Sequence, residues 1–262
     1  MATAAMRPVL ALWSREMRKF VRDRSRLVGA LAQPAGFWLL LGLGFHSTFH
    51  IPGGAAADVG YMEFLYPGII AMILLFTAIF STISIVEERK SGFLQAALVA
   101  PAPRISLVFG NVLGGTTLAV AESMLFLLLA PVVGLSPTPL GVLIVLVVSL
   151  LTGFSFTALG FIIAWRMEST RGFHAVMNLF LLPLWFLSGA PFPAVGASWP
   201  LQWIMAVNPV SYSVNAMRIA LYLPGQAPVA FASLGTSLLI TVILAAFLVG
   251  LAVYVVKRPL YA

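Results

Sequence analysis

The sequence predicts an all-α integral membrane protein with six transmembrane helices and an amphipathic interfacial helix ahead of them. Three observations lead there. Of the 262 residues, 61% are apolar and 9% charged, well beyond the composition of a soluble domain. The apolar residues gather into six runs near or above the roughly 20 residues that cross a hydrocarbon core. The basic residues are sorted: fourteen of fifteen Lys and Arg lie before residue 27, in 87–104, in 166–171 or at Lys257-Arg258, leaving only Arg218 for the other side. By the positive-inside rule both termini are cytoplasmic and the chain is a multi-pass protein of the cell membrane, probed from outside only by its connecting loops.

Residues 7–26 carry Arg15, Arg18, Lys19, Arg22 and Arg26 on one helical face and Leu10, Trp13, Met17 and Val21 on the other. That division predicts a helix lying along the membrane surface among lipid head groups. The apolar run behind it, Leu27 to Phe45, is too long for the ~7–15-residue core of a signal peptide. The six spans are expected at about 27–46, 62–86, 106–134, 140–165, 174–190 and 232–256. Pro131 is expected to end or bend the long third span, and Pro183 interrupts the short fifth. Residues 191–231 hold Pro191, Pro193, Gly196, Pro200 and Pro209 among apolar residues. This stretch is too broken to span and is expected to be an outer re-entrant segment.

Several chemistries are excluded by residue type. The chain has no cysteine, hence no disulfide, thiolate nucleophile or Cys-based metal site. It contains neither a G-x-x-x-x-G-K-[ST] phosphate loop nor an H-E-x-x-H helix, so no site for ATP phosphates and no zinc-protease centre is expected. His46 and His50 have i,i+4 spacing but no third ligand nearby, which favours an interfacial pair over a metal site. No inverted repeat of the kind found in secondary transporters is evident, and no nucleic-acid partner is implied.

Within the apolar runs, Glu122 stands out, because an ionised carboxylate in hydrocarbon must be paired, hydrated or protonated. Substrate or proton handling and a structural hydrogen bond are both open to it. Thr77, Ser81 and Ser84 share a face of the second span and could line a path or pack a neighbour. Gly110 and Gly114 are packing residues. His174 marks the inner mouth of the fifth span.

Two stretches carry a family resemblance. Glu87-Glu88-Arg89-Lys90-Ser91-Gly92-Phe93-Leu94, followed by Leu98, Pro101, Pro103 and Arg104, resembles the cytoplasmic loop of ABC-2 type exporter permeases. Asn208-Pro209-Val210-Ser211-Tyr212 through Arg218 is similar to the N-P-x-x-Y…R stretch before the last span of that family. The resemblance covers essentially the whole chain. It implies an ABC-2 (type V exporter) fold, a homodimer of permeases, and a separate cytoplasmic ATP-binding cassette subunit that holds ATP and Mg, this chain being no enzyme itself. It further implies that Glu87–Ala100 is a coupling helix, with Glu87, Glu88, Arg89, Lys90, Gly92, Phe93, Leu94, Leu98 and Arg104 at the ATPase interface. Arg15, Arg18, Lys19 and Arg22 would flank it. The second and fifth spans would line the path, through Thr77, Phe80, Ser81, Ser84, Glu122, Met177, Phe180, Leu184 and Trp185, while the first and fifth spans would meet at the dimer interface. Asn208, Pro209, Tyr212 and Arg218 would form an outer motif, with Trp199 and Trp203 in an interfacial belt. The expected substrate is an amphipathic drug, lipid or lipid-linked glycan, with polysaccharide export as the alternative and an intramembrane lipid-modifying enzyme as a more distant one.

Overall fold

The structure, a computed structural model, describes residues 2–22, 24–45, 59–99, 102–225, 227 and 229–258. His46, His50 and Pro101 lie outside the described residues, as do the side chains of Arg26 and Leu98. All regular structure among the described residues is helical: α1 (Ala2–Arg22), α2 (Arg24–Gly44), α3 (Tyr61–Ser81), α4 (Ile83–Lys90), α5 (Phe93–Val99), α6 (Ile105–Leu127), α7 (Pro139–Ala164), α8 (Thr170–Phe186), α9 (Trp199–Val207), α10 (Pro209–Leu221) and α11 (Leu234–Lys257).

Among the described residues, four helical stretches are long and apolar enough to cross a membrane: Tyr61–Lys90, Ile105–Leu127, Pro139–Ala164 and Leu234–Lys257. The apolar part of α2, Leu31–Gly44, and the 17 residues of α8 are shorter. At 1.5 Å per residue α8 reaches only about 25 Å against a core of about 30 Å. Polar capping residues start α7, α8 and α11. Thr138, Ser169 and Ser233 accept the amides of Gly141, Gly172 and Thr236 at 3.1, 3.3 and 3.1 Å, each meeting one of the N–H groups that a helix start leaves unpaired.

The bundle is built around α3. Every residue from Phe64 to Ile79 is buried, as expected of a helix that is apolar all round; α2, α6, α7, α8 and α10 surround it. With α4 it forms one rod of 30 residues, Tyr61–Lys90, roughly 45 Å long. Its joint is Thr82, whose hydroxyl donates back to the Ile79 carbonyl at 2.7 Å.

Proline acts earlier on the third span than expected. The α-helix stops at Leu127 and the chain turns through a 3-10 segment, Ala130–Val133, to Gly134 at φ +85°. Pro131 has no N–H to give the Leu127 carbonyl four residues back, and its ring would clash there.

Helix α1 also departs from expectation. Its Leu12 Cβ sits against Gly110 and its Glu16 Cβ against Gly114, at 2.6 and 3.1 Å from where a glycine Cβ would be. Equal steps of four in the same direction mean that α1 runs parallel to α6, and Trp13 adds a bond from its indole N–H to Thr117 Oγ1 at 3.1 Å. Whatever angle α6 makes with a membrane, α1 shares over these residues; it does not lie across the bundle. Gly110 and Gly114 are thus packing residues, and the helix they admit is α1.

Candidate functional site: a charged turn beneath a side cleft

The charged stretch forms the lower end of the long rod. After Lys90 the chain turns at Gly92, φ +76°, a conformation that glycine adopts without strain. It then enters the short helix α5. Glu88 is held by two cations of α1: it pairs with Arg15, and Lys19 Nζ lies 3.1 Å from it. Lys19 also approaches Glu16 at 3.4 Å and Arg15 approaches it at 3.5 Å. The Arg15 guanidinium stacks on the Phe93 ring, 4.0 Å from its centroid, a cation–π contact that ties α1 to the start of α5. Burial lowers the Arg15 pKa from its usual value, and Glu16 opposes that shift.

Arg89 turns the other way and donates to the carbonyl of Trp165. Trp165 caps the C-terminus of α7, where the helix dipole and unpaired carbonyls favour a cation. Leu94 is buried in a small pocket formed by Leu12, Ile85, Leu107, Phe161 and Trp165. Glu88, Arg89 and Leu94 therefore fasten the turn to its own bundle. Glu87, Lys90, Gly92, Phe93 and Arg104 face outward, as do Arg18, Lys19 and Arg22 on α1, while Arg15 is half-buried. The α5 backbone is described through Val99, the Leu98 side chain excepted.

Above this turn, between α2, the α3–α4 rod and α8, lies a cavity of about 550 Å³. Phe76, Thr77, Phe80, Ser81, Ile83 and Glu87 of the rod form one wall. Phe20, Gly29, Gln33 and Pro34 form a second, and His174 and Asn178 of α8 with Leu118 of α6 close it. From Glu87 to Phe76 the wall rises about 16 Å. The His174 ring lies 5.1 Å from that of Phe80.

Of the nine path residues, Thr77, Phe80 and Ser81 line this cavity. The others are placed differently, for identifiable reasons. Ser84 is buried and accepts from Asn111 Nδ2 at 3.4 Å, joining the rod to α6. Glu122 is only 2% exposed and accepts the Thr77 hydroxyl from behind the cavity wall. Met177 and Trp185 are buried in the core, and the Trp185 indole donates to the Gly68 carbonyl at 2.7 Å. Phe180 points to the outer surface of α8, and Leu184 is half-buried beside the core. Helix α8 presents His174 and Asn178 to the cavity, whereas Met177 and Trp185 face the core. Gln33 and Asn178 are cavity residues that sequence reasoning passed over, and His174, read from sequence only as marking the inner mouth of the fifth span, lines the cavity with them. Their signal was polar side chains in apolar runs, with His174 and Asn178 four residues apart.

The outer motif is mostly interior. Asn208 does two jobs: its Oδ1 accepts from the Val210 amide at 3.0 Å to start α10, and its Nδ2 donates to the Leu184 carbonyl in the last turn of α8 at 2.6 Å. Pro209 occupies the first turn of α10, where a missing N–H costs nothing. Tyr212 donates to the Ala206 carbonyl at 2.8 Å. Arg218, 3% exposed, donates to the carbonyls of Gly189 and Val229 at 3.2 and 3.4 Å and lies over the Phe64 ring at 4.4 Å. Burial lowers its pKa to about 10, with Tyr222 opposing the shift. Tyr222 in turn donates to Glu63 at 2.7 Å. Trp199 and Trp203 are exposed on α9.

A family model described as ABC-2 type transporter matches residues 7–222. The chain belongs to the ABC-2 type transporter family. It is 28% identical over 215 residues to Nodulation protein J of Sinorhizobium fredii, covering 81% of this chain and 80% of that one. It is 28% identical over 246 residues to Nodulation protein J of Rhizobium leguminosarum bv. viciae, covering 93% and 92%. With ycf38 of Cyanophora paradoxa, a protein named as a transport permease, it shares 28% identity over 208 residues, 77% of this chain and 70% of the other. The ABC-2 match takes in α1, the rod, the charged turn, the cavity and α10, and ends before α11. The chain is accordingly a transport permease of the membrane, with apolar helices of spanning length.

Proposed function

We propose that the chain is the transmembrane subunit of an ATP-driven ABC exporter, working as a homodimer in the cell membrane and moving an amphipathic drug-like, lipid or lipid-linked glycan substrate outward. The observation that carries this reading is mechanical continuity. The charged turn and α5 hang from the same 30-residue rod whose lower half, from Phe76 to Glu87, walls the cavity. A push on the turn is transmitted along one rigid element to Thr77 and Phe80, and the rod moves as a unit because Glu88, Arg89 and Leu94 brace its end.

In this reading a cytoplasmic ATP-binding cassette subunit supplies ATP and Mg and docks against the outward-facing set Glu87, Lys90, Phe93 and Arg104, flanked by Arg18, Lys19 and Arg22 of α1. Six passes are made by α2, the rod, α6, α7, α8 and α11, with both termini cytoplasmic, which accords with the placement of fourteen of the fifteen basic residues. The short α2 and α8 reach across by local thinning of the bilayer or by pairing with a second copy. Helix α1 packs alongside α6, its exposed Arg18, Lys19 and Arg22 flanking the charged turn, and α9 and α10 form the outer re-entrant hairpin.

The test is reconstitution with the cognate ATPase in liposomes. Transport substrate and permease should raise ATP turnover, and Phe93→Asp with Lys90→Glu should abolish that stimulation while the protein stays folded. Unchanged stimulation in the double variant would remove the docking assignment.

A further inference from the structure

We infer that the side cavity selects an amphipathic organic cation, an ammonium or phosphonium centre carrying aromatic or alkyl bulk; this rests on the permease reading and names the substrate class of its site. Three features of the wall point the same way. Glu87 places a carboxylate at the lower rim. Higher up, the hydroxyls offer lone pairs more readily than protons. Ser81 donates its proton to the Ala78 carbonyl at 2.7 Å, and Thr77 donates to Glu122. A hydroxyl has one proton to give, so both present acceptor oxygens to the cavity, and the Glu122 carboxyl stands directly behind Thr77.

Beside Pro34, Ile83 and Leu118, the apolar lining holds three aromatic rings. Phe20, Phe76 and Phe80 come from two elements on different sides of the cavity, and ring faces attract a desolvated cation within about 6 Å. Gln33 and Asn178 can turn either end of an amide toward a ligand, and the His174 imidazole offers ring nitrogens that can donate or accept, so these three do not by themselves favour an anion. The basic residues of α1 lie elsewhere. Arg15, Arg18, Lys19 and Arg22 occupy the helix face opposite Phe20, and Arg15 and Lys19 are engaged by Glu88. No Lys or Arg is among the described residues that line the cavity. An anionic head group placed there would meet the Glu87 carboxylate at the rim and the hydroxyl lone pairs of Thr77 and Ser81, an arrangement that disfavours it by repulsion and by unpaired desolvation.

The experiment uses the full chain in dodecyl maltoside, without ATPase, and two probes of matched size and shape but opposite charge: tetraphenylphosphonium and tetraphenylborate. Equilibrium dialysis against protein-free micelles gives the specific component. Saturable binding is expected for tetraphenylphosphonium only. Glu87→Gln should weaken it roughly fivefold, the scale of one partly exposed ion contact, and Phe80→Leu roughly threefold through loss of a ring face. Saturable tetraphenylborate binding of equal or greater affinity would overturn the inference. So would unchanged tetraphenylphosphonium affinity in both variants, each confirmed monodisperse. Because no ATPase enters the assay, cation binding by a chain that never stimulates an ATPase would fault the exporter reading alone. ATPase stimulation without charge preference would fault this inference alone.

Discussion

Replacing Glu88 by Gln tests whether charge fastens α1 to the end of the long rod. Glu88 has 12% of its side chain exposed and meets Arg15 and Lys19, 25% and 44% exposed. Exposed pairs contribute about 0.2–1 kcal/mol each, and these are partly sheltered. Gln keeps the shape and one neutral acceptor, so the loss is the charged part of two contacts, roughly 1–2 kcal/mol. For a chain of this size that is about 2–6 °C in Tm. Thermal unfolding in detergent should show this deficit at low salt and a smaller one at about 0.5 M NaCl, because such pairs are screened. A double-mutant cycle of Glu88→Gln with Arg15→Gln should return a coupling near 1 kcal/mol. ATPase stimulation should fall in both single variants, since the rod would lose its brace at the turn. A coupling below about 0.3 kcal/mol with unchanged Tm would refute the reasoning and leave Arg15 as a stacking partner of Phe93 only.

Other positions carry sharp expectations. Asn208→Ala removes the cap of α10 and the bond to the Leu184 carbonyl, and should cost about 2 kcal/mol; Asn208→Asp keeps the cap and should recover about half in the same unfolding assay. Gly141→Ala would place a Cβ 2.3 Å from the Ala220 carbonyl oxygen, a backbone atom that cannot rotate away, so α7 and α10 must separate at a cost of about 1–3 kcal/mol. Trp185→Phe loses the indole donor to Gly68 and should lower stability by about 1–2 kcal/mol. Glu122→Gln retains an acceptor for Thr77 and should unfold within about 1 kcal/mol of the parent, whereas Glu122→Leu should be clearly less stable; a Gln variant that folds normally but no longer transports would give the carboxylate a role in the path.

The all-helical, membrane-embedded character of this protein is written in its sequence, because continuous apolar runs of about 20 residues satisfy their backbone in a bilayer as helices, whereas barrel strands are about half as long and alternate. The positions of α7 and α11 were legible from apolar length alone, against expected runs at 140–165 and 232–256. Family membership was legible too, through the charged stretch 87–104 and the Asn208–Arg218 motif. What the sequence could not assign was the direction in which each polar side chain faces. Thr77, Ser81 and Ser84 share one helical face, yet Ser84 is drawn to Asn111 on α6 while the other two open on the cavity. Met177 and Trp185 read as path residues but turn to the core, and His174 and Asn178 take the cavity face of α8. Arg89 and Leu94 read as docking residues but close on α7 and its neighbours. Periodicity sorts residues by face, but only the packing of helices distant in sequence decides which face meets protein and which meets a cleft.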